Sequence, residues 1–82
     1  MKLKKGIILN SHEGEFTVYD SITSTMHELN ESAYYVVECI AKKMNQQKIV
    51  HLFAGKFDLS IDQSSEDVIQ FLDLLKSREI IE

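Results

Sequence analysis

The order of apolar and polar positions divides the chain into an extended N-terminal part and a helical remainder. Residues 6–29 are rich in β-branched and aromatic types and are interrupted by His12-Glu13-Gly14-Glu15 and by Asp20-Ser21, the pattern of short strands joined by turns. Strands are predicted near Ile7–Leu9, Phe16–Asp20 and Ser24–Leu29. In the second, Phe16 and Val18 share one face and Thr17 and Tyr19 the other. In the third, Ser24, Met26 and Glu28 oppose Thr25, His27 and Leu29, so neither face is wholly apolar. That pattern belongs to an edge strand, since a buried central strand is apolar throughout.

From Asn30 the period changes to that of a helix. Asn30 is a good N-cap, and Ala33, Val36, Val37, Ile40 and Met44 line one face, which predicts a helix from about Glu31 to Met44 ended by the polar Asn45-Gln46-Gln47. A second helix turns Ile49, Leu52, Phe53 and Phe57 inward, and Gly55 suits a fraying or kinked last turn. Asp58 to Gln63 reads as a connector. Ser64-Ser65-Glu66-Asp67 then opens a third helix, with a serine cap and first-turn acids that complement the helix dipole. Its core stripe is Val68, Phe71, Leu72 and Leu75, flanked on opposite sides by Ile69 and Leu74, and Lys76 and Arg78 stand at its C-terminal end. Ile80-Ile81 is expected to close the fold as a short extended tail against the body.

Composition narrows the function classes. At 82 residues the chain is one domain, residues 1–82, and with 44% hydrophobic and 27% charged residues and no proline it is a packed globular unit. No apolar run approaches the length of a membrane span or a signal-peptide core, so a cytoplasmic protein is expected. Nine basic residues against 13 acidic ones give a net charge of -4, which repels phosphate backbones and argues against nucleic acid as a partner. The single cysteine, Cys39, excludes an internal disulfide and any multi-cysteine zinc site, and at the edge of the first helix's stripe it reads as an inert, partly buried thiol.

No constellation for catalysis stands out. His27-Glu28-Leu29-Asn30-Glu31 lacks the second histidine of a zinc-protease helix, no glycine-rich loop precedes a lysine at phosphate-binding spacing, and His12, His27 and His51 fall on three different elements. The chain therefore reads as neither an enzyme nor a metal or cofactor protein. Lys2, Lys4 and Lys5 form a solvated basic tail, and Tyr34 and Tyr35 point to different sides of the first helix, where packing accounts for them. What remains is a surface. An edge strand offers unpaired N–H and C=O groups, and a helix with surplus apolar residues beside it supplies pockets, which together suit an extended peptide added as another strand. The same residues would equally fill a small core, with the edge covered by the N-terminus or by a second copy of the chain.

Leu29-Asn30 before the first helix, the stripe from Ala33 to Ile40, Phe57 after the second helix, and Asp67-Val68, Phe71-Leu72 and Leu75 with a closing Ile80-Ile81-Glu82 resemble the PqqD family over nearly the whole chain. Asp20 fits the acidic residue that often ends that family's second strand. These are the peptide chaperones of coenzyme PQQ synthesis and their relatives, the recognition elements for ribosomally made, post-translationally modified peptides. Two turns depart from the pattern. Asn45-Gln46-Gln47 replaces a glycine common after the first helix, and Glu79 replaces one before the final apolar pair.

The resemblance implies an α+β, winged-helix-like domain, a three-stranded antiparallel sheet followed by three helices. It implies a groove between the third strand and third helix that takes the leader segment of a precursor peptide as an added antiparallel strand. The chain would then hold the leader for a separate modifying enzyme, either a radical enzyme or a leader protease and cyclase of the lasso-peptide type. By position, Thr25, Met26, His27 and Glu28 would offer backbone pairing, Phe71, Leu74, Leu75 and Arg78 would line the opposite wall, and Asp67 would hold a polar group of the leader or serve the helix dipole. Periodicity leaves open whether the Asp67/Leu74/Arg78 flank or the Ile69/Lys76 flank faces the groove. The competing readings are a winged-helix DNA-binding regulator and a homodimer that pairs its edge strands. Against the first stand Glu66, Asp67 and Asp73 beside Lys76 and Arg78 on the third helix, where a DNA reader carries a basic face.

Overall fold

In the computed structural model, which describes residues 1–82, three strands precede three helices: β1 (Ile7–His12), β2 (Glu15–Asp20), β3 (Thr25–Leu29), α1 (Glu31–Ala41), α2 (Gln46–Phe57) and α3 (Ile61–Ser77). The strands form one antiparallel sheet in the order β1-β2-β3, an α+β fold. β1 and β2 are longer than their apolar residues predict because Glu13 and Gly14, at φ 50° and 81°, close a two-residue hairpin between His12 and Glu15. Positive φ at both central positions gives a turn whose twist matches the strands it joins.

One face of the sheet meets the helices. Phe16, Val18 and Asp20 of β2 lie across from Leu29, His27 and Thr25 of β3, and Val18 and Leu29 are buried there against α1. On the other face Ile8, Tyr19 and Met26 stand in one cross-strand row, with Ile8 and Met26 exposed. α1 buries Ala33, Val36, Val37 and Ile40 as its period predicts, along with Tyr34 and Cys39. Burial pushes the Cys39 thiol above its ordinary pKa, which keeps it protonated and unreactive. Ile80 and Ile81 are buried beneath the N-terminus, where the Lys4 amide donates to the Ile80 carbonyl at 2.9 Å and the Glu82 amide to the Lys2 carbonyl at 3.0 Å.

Three helix boundaries differ from expectation, each for a local reason. α1 stops at Ala41, because Lys43 takes the left-handed conformation at φ 63° while Lys43 and Met44 donate back to the Ile40 and Cys39 carbonyls. Asn45 then starts α2 instead of ending α1, its side chain accepting the Lys48 amide at 2.9 Å. α3 begins at Ile61, inside the segment expected to be a connector, because Ser60 accepts the Gln63 amide at 3.1 Å and is the true cap. Ser64, expected as that cap, is instead buried in α3 and donates to the Val50 carbonyl at 2.7 Å, which lets α2 and α3 approach closely. Leu52, expected to face inward, is exposed, since the buried stripe of α2 runs through Ile49, Val50, Phe53 and Ala54 and leaves Leu52 on its flank.

Glu79, at φ 58°, closes α3 as Lys43 closes α1, with the Ile80 amide returning to the Leu75 carbonyl and its own to that of Lys76. Of the two turns singled out in the sequence, Glu79 is a left-handed position, whereas after α1 that conformation falls on Lys43 and not on Asn45-Gln46-Gln47, which cap and begin α2; Lys43 and Glu79 both carry a Cβ. Such a position costs an L-residue about 1–2 kcal/mol, partly offset by the smaller unfolded-state entropy of a non-glycine. Lys43→Gly is expected to stabilise the fold by about 0.5–1 kcal/mol. Thermal melts of wild type and variant check this, and an unchanged or lowered midpoint contradicts it.

Candidate functional site

The hairpin between β1 and β2 fixes which way every backbone group of the sheet points. In a two-residue hairpin the flanking residues, His12 and Glu15, form a hydrogen-bonded pair, and hydrogen-bonded and non-bonded pairs then alternate along the ladder. The alternation makes Ile7 and Asp20 a non-bonded pair and Gly6 and Ser21 a bonded one, in agreement with the Ser21 amide donating to the Gly6 carbonyl at 3.0 Å. The backbone groups of Phe16, Val18 and Asp20 therefore turn toward β3, where they meet Leu29, His27 and Thr25. Those of Met26 and Glu28 turn the opposite way, out of the sheet.

No other backbone meets them there. β3 has β2 as its single neighbour, and no backbone hydrogen bond outside the β2 ladder reaches Thr25–Glu28. The one bond to this rim comes from a side chain: Arg78 Nη1 donates to the Glu28 carbonyl at 3.2 Å. The rim thus presents the N–H and C=O of Met26, the N–H of Glu28, and a Glu28 carbonyl already carrying a guanidinium. Of the four residues expected to pair, the ladder turns Thr25 and His27 toward β2, because only every second residue of a strand faces a given edge.

The turn that presents β3 is held by Asp20. Its carboxylate accepts the Ile22 amide at 2.9 Å and the Thr23 amide at 3.1 Å, and these bonds, Thr23's foremost, hold its pKa below the usual carboxylate value against the opposing effect of burial. A carboxylate with a lowered native pKa stabilises the fold fully above its unfolded pKa, and that contribution disappears as pH falls through the native value. Asp20→Asn keeps an acceptor but does not titrate, so the stability gap between wild type and variant is expected to narrow as pH falls below about 4. Urea melts across this range test the assignment, and a gap independent of pH contradicts it.

α3 supplies the wall facing the rim. Successive helix residues advance by about 100°, so Asp67, Phe71, Leu74 and Arg78 lie in one row along its surface. Arg78 reaches β3, which puts this row, and not Ile69 and Lys76, on the side of the open edge. Phe71 and Leu74 are half-buried, and Phe71 rests on Phe53 with ring centroids 6.0 Å apart. Leu75, expected on the wall, is fully buried in the core and backs the wall from behind. Asp67, expected in the first turn, lies in the second and accepts from Gln63 Nε2 at 2.8 Å, while Asp62 is the acid in the first turn.

Apart from the Arg78 bond, no hydrogen bond or ion pair links α3 to β3. The largest cavity, about 470 Å³, lies elsewhere, between the start of α2 and the start of α3, where polar residues such as Gln46, His51 and Asp62 line it together with Val50 and Ile61. A strand-accepting site needs an edge and a wall, not a cavity. Sequence reasoning missed the Arg78–Glu28 contact, whose partners are 50 residues apart with no local signal to join them.

The fold is shared with solved proteins. TbiB1, in a complex with the TbiA(beta) leader peptide, superposes with a TM-score of 0.88 at 17% identity, covering 100% of this chain and 95% of that one. A lasso peptide synthetase B1 complexed with the leader peptide gives a TM-score of 0.82 at 13% identity, covering 96% and 93%. No curated protein sequence matches significantly. The family model for coenzyme PQQ synthesis protein D matches residues 6–81, nearly the full chain, and with the three-strand, three-helix order and the open third strand this makes the protein a member of the PqqD family.

Proposed function

We propose that the protein binds the leader segment of a ribosomally made precursor peptide as a fourth, antiparallel strand on β3 and presents the peptide to a separate modifying enzyme. The observation that carries this reading is the unpaired rim at Met26 and Glu28 beside the half-buried wall of Phe71 and Leu74. Main-chain bonds to the rim give such a complex its affinity, and the wall selects alternate side chains of the peptide. Family membership supports the reading, as do two structural neighbours that hold leader peptides. The lasso-type neighbour favours a leader protease and cyclase over a radical enzyme as the partner. In this account the chain is cytoplasmic, contributes no catalytic group and needs no cofactor. No helix is long and apolar enough to cross a membrane.

The test is a fluorescence titration with a labelled leader peptide from a precursor encoded beside the protein. Saturable binding at micromolar concentration, with duplex DNA bound weakly or not at all, is expected. Absence of binding at several hundred micromolar contradicts the reading. Light scattering over a dilution series separates this from the competing occupant of the rim, a second copy of the chain, which would make mass concentration-dependent.

A further inference from the structure

Arg78 holds a place at the rim that the leader-binding reading, on which this inference rests, does not explain. It caps α3, where its backbone amide returns to the Leu74 carbonyl, and its side chain is exposed. A guanidinium carries five N–H donors and a full charge, and here one donor is used, on the Glu28 carbonyl. The ion pairs of the protein join Lys2 to Glu82, His12 to Glu13 and Lys56 to Glu31, so Arg78 has no acidic partner. The neighbouring Glu28 side chain belongs with Met26 to the face of the sheet turned away from the helices. A permanent cation is thus tethered beside the peptide-accepting edge with most of its donors uncommitted, in a chain whose net charge is -4.

We propose that Arg78 is the specificity-determining residue of the rim: it stands in for a peptide N–H on Glu28 in the free protein and receives a peptide carboxylate in the complex. An added strand places one of its own N–H groups on the Glu28 carbonyl, the acceptor Arg78 now occupies. The guanidinium is then displaced or shared, and in either case lies within a side chain's reach of the peptide backbone. Side chains of an antiparallel strand point to the same face as the residues across from them. Peptide residues across from His27 and Leu29 therefore face the helices, from which Arg78 extends, and these flank the residue paired with Glu28. An Asp or Glu at one of these two positions can take the planar fork in a bidentate pair, which lysine cannot reproduce. The ligand class is an extended peptide with apolar residues for Phe71 and Leu74 and one acidic residue at a fixed offset from them.

A display library of random short peptides, selected separately on the intact protein and on Arg78→Glu, tests this. Wild type is expected to enrich an acidic residue at one offset from an apolar pair. Arg78→Glu is expected to enrich Lys or Arg at that same offset and to bind the wild-type consensus about tenfold more weakly. Arg78→Lys is expected to fall between the two. Because Arg78 is exposed, all variants should melt near wild type, and the swap in selected charge is a readout that a merely structural role would not produce. Binders without an acidic preference, or with one that Arg78→Glu does not invert, overturn the assignment while leaving strand capture intact. A library that yields no binders overturns strand capture as well.

Discussion

Phe53→Ala is expected to remove about 3–5 kcal/mol of stability, a large share of what the protein has. Phe53 is 1% exposed, and its ring centroid lies 4.6 Å from that of Phe57, 6.0 Å from Phe71 and 6.3 Å from Tyr35, so it joins α1, α2 and α3 in one aromatic cluster. Removing a buried phenylalanine side chain costs about 3–5 kcal/mol, through lost transfer energy and the cavity left behind. At roughly 0.05–0.15 kcal/mol per residue, a domain of this size holds about 4–12 kcal/mol in total, so the loss consumes much of it. A urea melt reads the effect as a shifted midpoint. Phe53→Leu, which keeps more of the volume, should lose considerably less. Because Phe53 backs Phe71, the leucine variant should fold yet bind peptide less well. A small shift for the alanine variant would mean that the cluster is not the centre of the core.

The second large effect concerns binding alone. Met26→Pro removes an N–H that points out of the sheet and leaves the β2 ladder intact, because proline is tolerated on an edge strand where its missing donor faces away from the sheet. It should fold, melt near wild type, and bind a leader peptide about tenfold or more weakly, having lost a main-chain bond and gained a ring where the incoming strand must lie. His27→Pro, one residue on, removes a donor that β2 uses and should unfold the β2–β3 pair. The contrast between adjacent residues carries the information. Equal destabilisation by the two would mean that the ladder parity is wrong, and unimpaired binding by Met26→Pro would mean that the peptide does not pair with this edge.

The alternation of Phe16, Val18 and Asp20 against Thr17 and Tyr19, and the helical spacing of Ala33, Val36, Val37 and Ile40, were enough to read the element order from the sequence. So was Asn30, whose side chain accepts the Ala33 amide at 2.8 Å. The misplaced boundaries involve residues with two local uses. Asparagine both ends helices and caps their starts, and Asn45 reads as a terminator until Lys43 is seen to close α1 in a conformation that its side chain disfavours. Ser60 precedes Gln63 by three residues, a capping-box spacing, but after Leu59 and Ile61 no apolar residue follows until Val68, so no helical stripe marks the first two turns and the segment looks like a connector.

The candidate site was legible in part. The mixed polarity of β3 marks an edge, and the Glu13-Gly14 hairpin in principle fixes which of its amides are free. The choice of flank on α3 was not legible, because Leu74 and Ile69 look alike to any periodicity argument. It is the tertiary contact from Arg78 to the Glu28 carbonyl that distinguishes them. Leu75 reads as part of the wall for the same reason: a helix stripe shows which residues turn inward, not which of those the neighbouring elements cover.

Hydrogen exchange of the β3 amides, measured by NMR with and without leader peptide, addresses strand capture most directly. In the free protein the amides of His27 and Leu29, which face β2, should be protected, while those of Met26 and Glu28 exchange rapidly. Saturation with peptide should slow Met26 and Glu28 and leave the other two nearly unchanged. If the peptide binds and these two amides still exchange at their free rates, with protection appearing instead around the cavity between α2 and α3, the peptide is not a strand of this sheet.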